Sequence, residues 1–306
     1  MVEPNNNCRY GSSGLESVEV SGGMIDLAIH PLSLSGGLMR IAVLADIHGN
    51  LIALDAVLAD ITQQGGVDGY WILGDLASIG VDPAGVLERL ATLPNTLFVR
   101  GNADRYVFTQ DRPHPTFEDA QQDPALIPIL AEVAGSFAWT QGYLAATGWL
   151  DWLKDLPLEQ RPTLPDGTRV LLVHAAPGTD DGDGLHPALT DAELDDGLRD
   201  CEADLICVGH FHSQMNRRLN GRHIINPGNV SNPVTAEMRA CYALMTADRN
   251  GYALDFRQVD YDRAAAIAAA QKSTNPGAGY VIRVLQGEVK AGWMANWDGF
   301  SHLPLP

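Results

Sequence analysis

The sequence predicts an α/β fold built on parallel strands, and three observations predict it. Short apolar runs rich in branched residues recur between residues 41 and 208. Each ends abruptly in polar residues. Several are followed by a stretch in which apolar residues return at steps of three and four, the period of a helix packed on one face. Strand, polar turn and helix, repeated, imply parallel strands joined by right-handed crossovers. Sites in such sheets lie beyond the carboxyl ends of the strands.

Residues 41–44 form the first run and read as a strand covered on both faces. The run leads into Asp46-Ile47-His48-Gly49-Asn50. In an extended chain residues two apart point the same way, so Asp46 and His48 are expected to project together, with Gly49 turning the chain. From Asn50 onward, Leu51, Leu54, Val57, Leu58 and Ile61 mark a helix that Gly65-Gly66 ends. Residues 70–73 are a second strand, closed by Gly74-Asp75, and Pro83 opens a second helix. Residues 96–99 are a third strand, followed by Arg100-Gly101-Asn102-Ala103-Asp104.

Residues 105–160 break this plan and read as a mostly helical insertion near the mouth of the site, its tryptophans serving as core packing. Residues 169–173 resume the strands and end in His174. The acidic stretch Thr179-Asp180-Asp181-Gly182-Asp183-Gly184 lacks the first-position Asp and twelfth-position Glu of a calcium loop, and is expected to be a solvated loop. Thr190, with Glu193 three residues on, caps a helix over residues 190–201. Residues 205–208 are a further strand, ending in Gly209-His210-Phe211-His212, and residues 222–225 lead into Asn226-Pro227-Gly228-Asn229. Residues 241–245 and 252–258 are expected to pair antiparallel around an Arg249-Asn250-Gly251 turn. Residues 39–261 thus form one domain. Residues 1–38, rich in Gly, Ser and Asn, are expected to be a flexible extension, with Met39 placed to start a complete domain. Residues 262–306 are a C-terminal helix and tail.

The chain of 306 residues has a hydrophobic fraction of 45%, ordinary for a globular core, and a net charge of −18. Such acidity argues against nucleic-acid and anionic-membrane partners. A phosphate ester would approach only where local positive charge, such as bound cations, overrides the global field. Cys8, Cys201, Cys207 and Cys241 form no Cys-x-x-Cys pair, and buried thiols in a reducing cytoplasm are expected. No apolar run reaches the ~18 residues of a membrane span, and the amino terminus lacks the pattern of a signal peptide.

The polar residues at strand ends are Asp46, His48, Asp75, Asn102, His174, His210 and His212. They offer three oxygen and four imidazole donors, too many for one metal and suited to two. In order, Asp-x-His, Gly-Asp, Gly-Asn, a strand-terminal His and Gly-His-x-His resemble the calcineurin-like metallophosphoesterase superfamily. The Asn226-Pro227-Gly228 turn resembles its small bacterial and archaeal branch. The resemblance runs over residues 40–260.

That resemblance implies a four-layer α-β-β-α sandwich and a hydrolase of phosphodiesters or phosphomonoesters, acting on a small molecule or a phosphoprotein. It implies two divalent cations drawn from Mn, Fe, Zn, Co or Ni, with a bridging hydroxide attacking phosphorus in line. Asp46, His48 and His212 would hold one cation, Asn102, His174 and His210 the other, and Asp75 both. Asp75, Asn102 and His174 would be the catalytic set. Asn50, Arg100, Asp104 and His223 are further candidates for contact with substrate or for support of the ligands. The departure is Ala103, where the family often has a histidine that assists the leaving group. Its absence favours acidic leaving groups such as aryl alcohols. The alternative reading is a catalytically weak member that uses the fold as a partner-binding scaffold. The complete ligand set argues against it.

Overall fold

The computed structural model describes residues 37–234 and 237–288. Most of the expected amino-terminal extension, and the tail from residue 289, lie outside the described residues. The first half alternates as expected: β1 (Met39–Leu44), α1 (Leu51–Gln63), β2 (Gly69–Leu73), α2 (Pro83–Ala91) and β3 (Thr96–Val99). Asn50 starts α1 by accepting the Ala53 amide at 3.1 Å, which satisfies a donor that a helix start leaves unpaired. Asp82 does the same for α2 by accepting from Gly85.

The helical insertion comprises α3 (Asn102–Phe108), α4 (Phe117–Gln122), α5 (Ile127–Thr147) and α6 (Leu150–Lys154). Trp149 and Trp152 pack against the core, Trp152 meeting Phe98 edge-on at 5.2 Å and Trp149 at 5.7 Å, whereas Phe117 and Tyr143 are exposed. Then follow β4 (Glu159–Gln160), β5 (Val170–Val173), α7 (Asp191–Gly197), β6 (Leu205–Cys207), β7 (Gln214–Leu219) and β8 (Arg222–Pro227). The hairpin β9 (Ala240–Asp248) and β10 (Gly251–Val259) leads into α8 (Arg263–Lys272) and α9 (Ala278–Leu285). The α7 helix is shorter than the capped segment predicted from Thr190, although its Thr190–Glu193 capping box is present.

The strands form two five-stranded sheets, ordered β10-β9-β1-β2-β3 and β4-β5-β6-β8-β7. Alternation along each strand explains their stacking. On β1, Ile41 and Val43 face a core shared with Val170, Leu172, Leu205 and Cys207 of the second sheet. Ala42 and Leu44 face the layer of α1, α2 and the insertion. On the second sheet, Leu171, Val173 and Ile206 turn outward to pack with Leu194 and Leu198 at α7. Two sheets face to face with helices outside is the expected sandwich. Ile41, Val43 and Leu44 are fully buried, and each such side chain contributes about 1.5–3 kcal/mol over an exposed one. The carboxyl ends of β1, β2, β3, β5 and β6 open on the same region, where the polar turns meet.

Candidate metal centre

Backbone geometry departs from the extended arrangement expected of Asp46 and His48. Both are left-handed, with φ of 56° and 48°, and so are Asp75, His210 and His212 at 56°, 68° and 54°. Five of the seven candidate ligands thus adopt a conformation that non-glycine residues rarely take, at a cost of order 1–3 kcal/mol each. The side chains of Asp46 and His48 converge because the chain curls after the strand, not because it continues straight. Neighbouring amides fix the curl: Ile47 and His48 both donate to Asp75 O at 2.9 Å, and Gly49 to Leu76 O at 2.9 Å.

The seven residues meet in one cluster with two lobes, all but Asn102 and His210 buried. In the first, His48 Nε2 lies 3.1 Å from His212 Nε2, and His212 Nε2 lies 3.3 Å from Asp46 Oδ1. Donor atoms of Asp46, His48, Asp75 and His212 all fall within 4.8 Å of one another, a set able to hold a metal ion. In the second, Asn102 Oδ1 lies 3.0 Å from His174 Nε2 and 3.1 Å from His210 Nδ1. Asp75 stands between the lobes, its Oδ2 3.6 Å from His48 Nε2 and its Oδ1 3.5 Å from His174 Nε2.

The far nitrogens of three imidazoles are tied to backbone carbonyls. His174 Nδ1 donates to Leu73 O at 2.6 Å, His212 Nδ1 to Asn232 O at 2.7 Å, and His210 Nε2 to Gly182 O at 2.8 Å. A neutral ring held this way turns its lone pair inward. His174 Nε2 and His210 Nδ1 are thereby aimed at Asn102 Oδ1. Asp46 Oδ2 and His48 Nδ1 are buried with no partner among the described residues. Converging nitrogen and oxygen donor atoms and an unpartnered carboxylate oxygen suit divalent cations.

Charge is strongly coupled here. Burial disfavours the Asp75 carboxylate, but His174 and His48 outweigh it and hold that group below its usual value. Burial also opposes a charge on His174, yet the Asp75 and Asp46 carboxylates raise it to about 10. At His48 burial prevails and lowers the imidazole to about 4.

The remaining candidates fall around this cluster. Asp104 accepts three backbone amides, Asp75 N at 2.8 Å, Leu76 N at 2.9 Å and Gly101 N at 3.1 Å, so it braces the turns rather than facing the centre. Asn50 donates to Ser231 Oγ at 3.0 Å, beside His48. Ala103 is 3% exposed and gives its amide to Asp75 Oδ1 at 2.9 Å. Arg100 does not join the cluster: its Nε donates to Asp180 Oδ2 at 2.8 Å. His223, at the start of β8 and so at the opposite end of the sheet, bonds Tyr252 Oη at 2.8 Å and Asn216 Oδ1 at 2.7 Å. Its closeness in sequence to the Asn-Pro-Gly turn hid the length of that strand.

The acidic loop is solvated only in part: Asp183 is exposed, but its neighbours are paired. Asp180 is 4% exposed and takes both Arg100 and Arg105, while Asp181 takes Arg105 at 2.7 Å and Tyr106 at 2.5 Å. The charges of Asp180 and Asp181 are offset by arginines far back in the sequence, and the Gly182 carbonyl supports His210. Sequence reasoning also missed Asn229, which donates to His212 O at 2.9 Å, and Asn232, whose backbone oxygen holds His212. The Asn-rich turn signalled the first. A carbonyl leaves no signal for the second.

Comparison with known proteins agrees with this geometry. Residues 39–250 match the calcineurin-like phosphoesterase superfamily domain. An uncharacterized protein of Methanocaldococcus jannaschii is 29% identical over 239 residues, spanning 72% of this chain and 88% of that protein. The crystal structure of a hypothetical protein from Pyrococcus horikoshii shares the fold, with a TM-score of 0.68 and 24% identity over 82% of this chain and 99% of that one. The crystal structure of a metallophosphoesterase from Sphaerobacter thermophilus gives a TM-score of 0.64 and 25% identity over 83% of this chain and all 100% of that one. This chain, with its cluster of Asp, Asn and His at the strand ends, belongs to the calcineurin-like phosphoesterase superfamily and is a metal-dependent hydrolase of phosphoric esters.

Proposed function

We propose that hydrolysis takes place at a pair of divalent cations. Asp46, His48 and His212 would hold one, Asn102, His174 and His210 the other, and Asp75 both. The observation that carries this reading is the position of Asp75, with one carboxylate oxygen toward each lobe. Two like-charged ions need such a shared anion between them. Bound cations would neutralise charge on the phosphoryl oxygens and bring the pKa of a water toward neutrality.

The chain's own residues do the rest. The three carbonyl-held imidazoles keep their other ring nitrogens aimed inward without reorganising. Asp75 remains ionised, and Asp46 offers a free oxygen. Ala103 supplies no proton, so the leaving group departs as its anion or takes a proton from water. Activated diesters and aryl esters are therefore the preferred substrates, whether small molecules or phosphorylated proteins. The net charge of −18 makes nucleic acid a poor partner. The buried free thiols of Cys201, Cys207 and Cys241 support a reducing cytoplasm as the setting. Among the described residues, no helix is long and apolar enough to cross a membrane.

The test is hydrolysis of bis(4-nitrophenyl) phosphate by protein stripped with chelator and then reloaded. Activity should vanish on stripping and return with Mn²⁺, and Asp75→Asn should lose at least about a hundredfold in kcat. Undiminished turnover in the stripped protein would exclude the reading.

A further inference from the structure

A small cleft with about 80 Å³ of room for water-sized molecules, partly open to solvent, lies beside His48 of the metal centre. Its walls are mostly hydrocarbon, including Ile79, Val81, Ala266, Val281, Val284 and Leu285. Its polar groups are those of His48, Asn50, Asp82, Ser231 and Asn232. His48 is a candidate ligand, and Asn232 holds another, His212. The cavity and the centre therefore share a wall.

The hydrocarbon side comes largely from α8 and α9, which lie beyond the residues that match the family domain. This helical pair is fastened to the site rather than merely resting near it. Asn275, 3% exposed, donates to Ile79 O at 3.3 Å and Gly80 O at 3.0 Å. Tyr280 donates to Asn232 Oδ1 at 3.3 Å. Ile79 is held at φ 74°, a conformation that a β-branched residue adopts only where its surroundings enforce it.

We propose that this cavity binds the hydrocarbon group of a phosphoester whose phosphorus sits at the metal centre, and that it selects aryl groups. The proposal rests on the phosphoesterase reading for where the phosphorus lies. An apolar wall offers nothing to a sugar hydroxyl or a charged group, which would be buried there without partners. A flat ring fills the cleft between the α8–α9 pair and the turn at Ile79 and leaves through the open side. The absence of a proton donor at Ala103 favours the same class, because aryl alcohols leave readily as anions.

Calorimetric titration of the full chain with phenylphosphonate and methylphosphonate, in Mn²⁺, reads the cavity without turnover. Phenylphosphonate should bind at least about tenfold more tightly, the discrimination a hydrophobic pocket provides. Ala269→Phe puts a ring into the wall from α8 and should bring the phenyl-to-methyl ratio close to one. Should that variant fail to fold, Val281→Ala enlarges the cavity and should raise the preference for naphthyl over phenyl. Equal binding of phenyl and methyl by the unaltered chain overturns the proposal, as does an aryl preference that neither variant moves. Equality relieved by removing residues 289–306 would give the cavity to the chain's own tail and overturns it too. Hydrolysis of 4-nitrophenyl esters in the same preparation reports separately on the phosphoesterase reading. Turnover without aryl preference sinks only the cavity, and aryl preference without turnover sinks only the function.

Discussion

Asp104 grips the backbone of Asp75: its Oδ2 lies 2.8 Å from the Asp75 amide, and its Oδ1 takes the next amide, of Leu76, at 2.9 Å. One buried carboxylate thus fixes the left-handed turn that aims another into the centre. Burial and the Asp75 charge raise Asp104 to about 7, against the pull of the amides it accepts. Asp104→Ala leaves those amides buried without partners. It should cost about 3 kcal/mol in urea unfolding and weaken Mn²⁺ binding by roughly tenfold to a hundredfold. Stability within 0.5 kcal/mol of the parent, roughly the neutral range of a surface substitution, would show that the brace is dispensable.

Gly101 offers a sharper probe of the same turn. Its φ of −94° and ψ of 170° are extended backbone that any residue adopts. A Cβ there would nevertheless stand 2.1 Å from Asp75 Oδ1, so the methyl must displace the carboxylate. Gly101→Ala should therefore lose metal affinity by tenfold or more while far-UV circular dichroism stays unchanged. Unaltered Mn²⁺ titration would mean that Asp75 is not held where the geometry has it.

Away from the centre, Asp60 on α1 is bound by Arg257 at 2.8 Å and by Tyr242 at 2.6 Å, clamping α1 to the β9–β10 hairpin. Arg257 is the main cause of a carboxyl pKa held below the ordinary 3.8. A depressed carboxyl contributes stability that is fully present above its unfolded value and is lost as pH falls through its folded one. Asp60→Asn should accordingly cost about 1–2 kcal/mol at pH 7, with the difference from the parent shrinking below pH 4. Urea titrations in chelator at pH 7 and pH 3 check this, and a gap that widens on acidification would reverse the sign of the argument.

The want of an acid at Ala103 predicts a steep dependence on the leaving group. General acids typically contribute about 10²–10⁴-fold, so alkyl esters should lag activated aryl esters by at least a hundredfold in kcat. A flat plot of log kcat against leaving-group pKa would point to a proton donor elsewhere.

The half from β1 to β3 was legible because its apolar periods are local: Ile41 to Leu44 are a strand whatever surrounds them, and Asn50 and Pro83 announce the helices. The candidate ligands were legible for the same reason, since each closes a strand. What stayed hidden depends on distant partners. The β7 strand carries exposed Asn216 and Arg218 on its polar face and exists by pairing with β8. Asp180 reads as a surface acid until Arg100, eighty residues earlier, is seen against it. The curl that brings Asp46 and His48 together comes from amides bonded to Asp75 O and Leu76 O, which no pattern within residues 46–49 encodes.

Anomalous diffraction from crystals loaded with Mn²⁺ tests the central claim most directly. Two peaks, roughly 3.5–4 Å apart and on either side of the Asp75 carboxylate, are the result this account requires. A single peak, or peaks that leave Asp75 outside both coordination spheres, would contradict it.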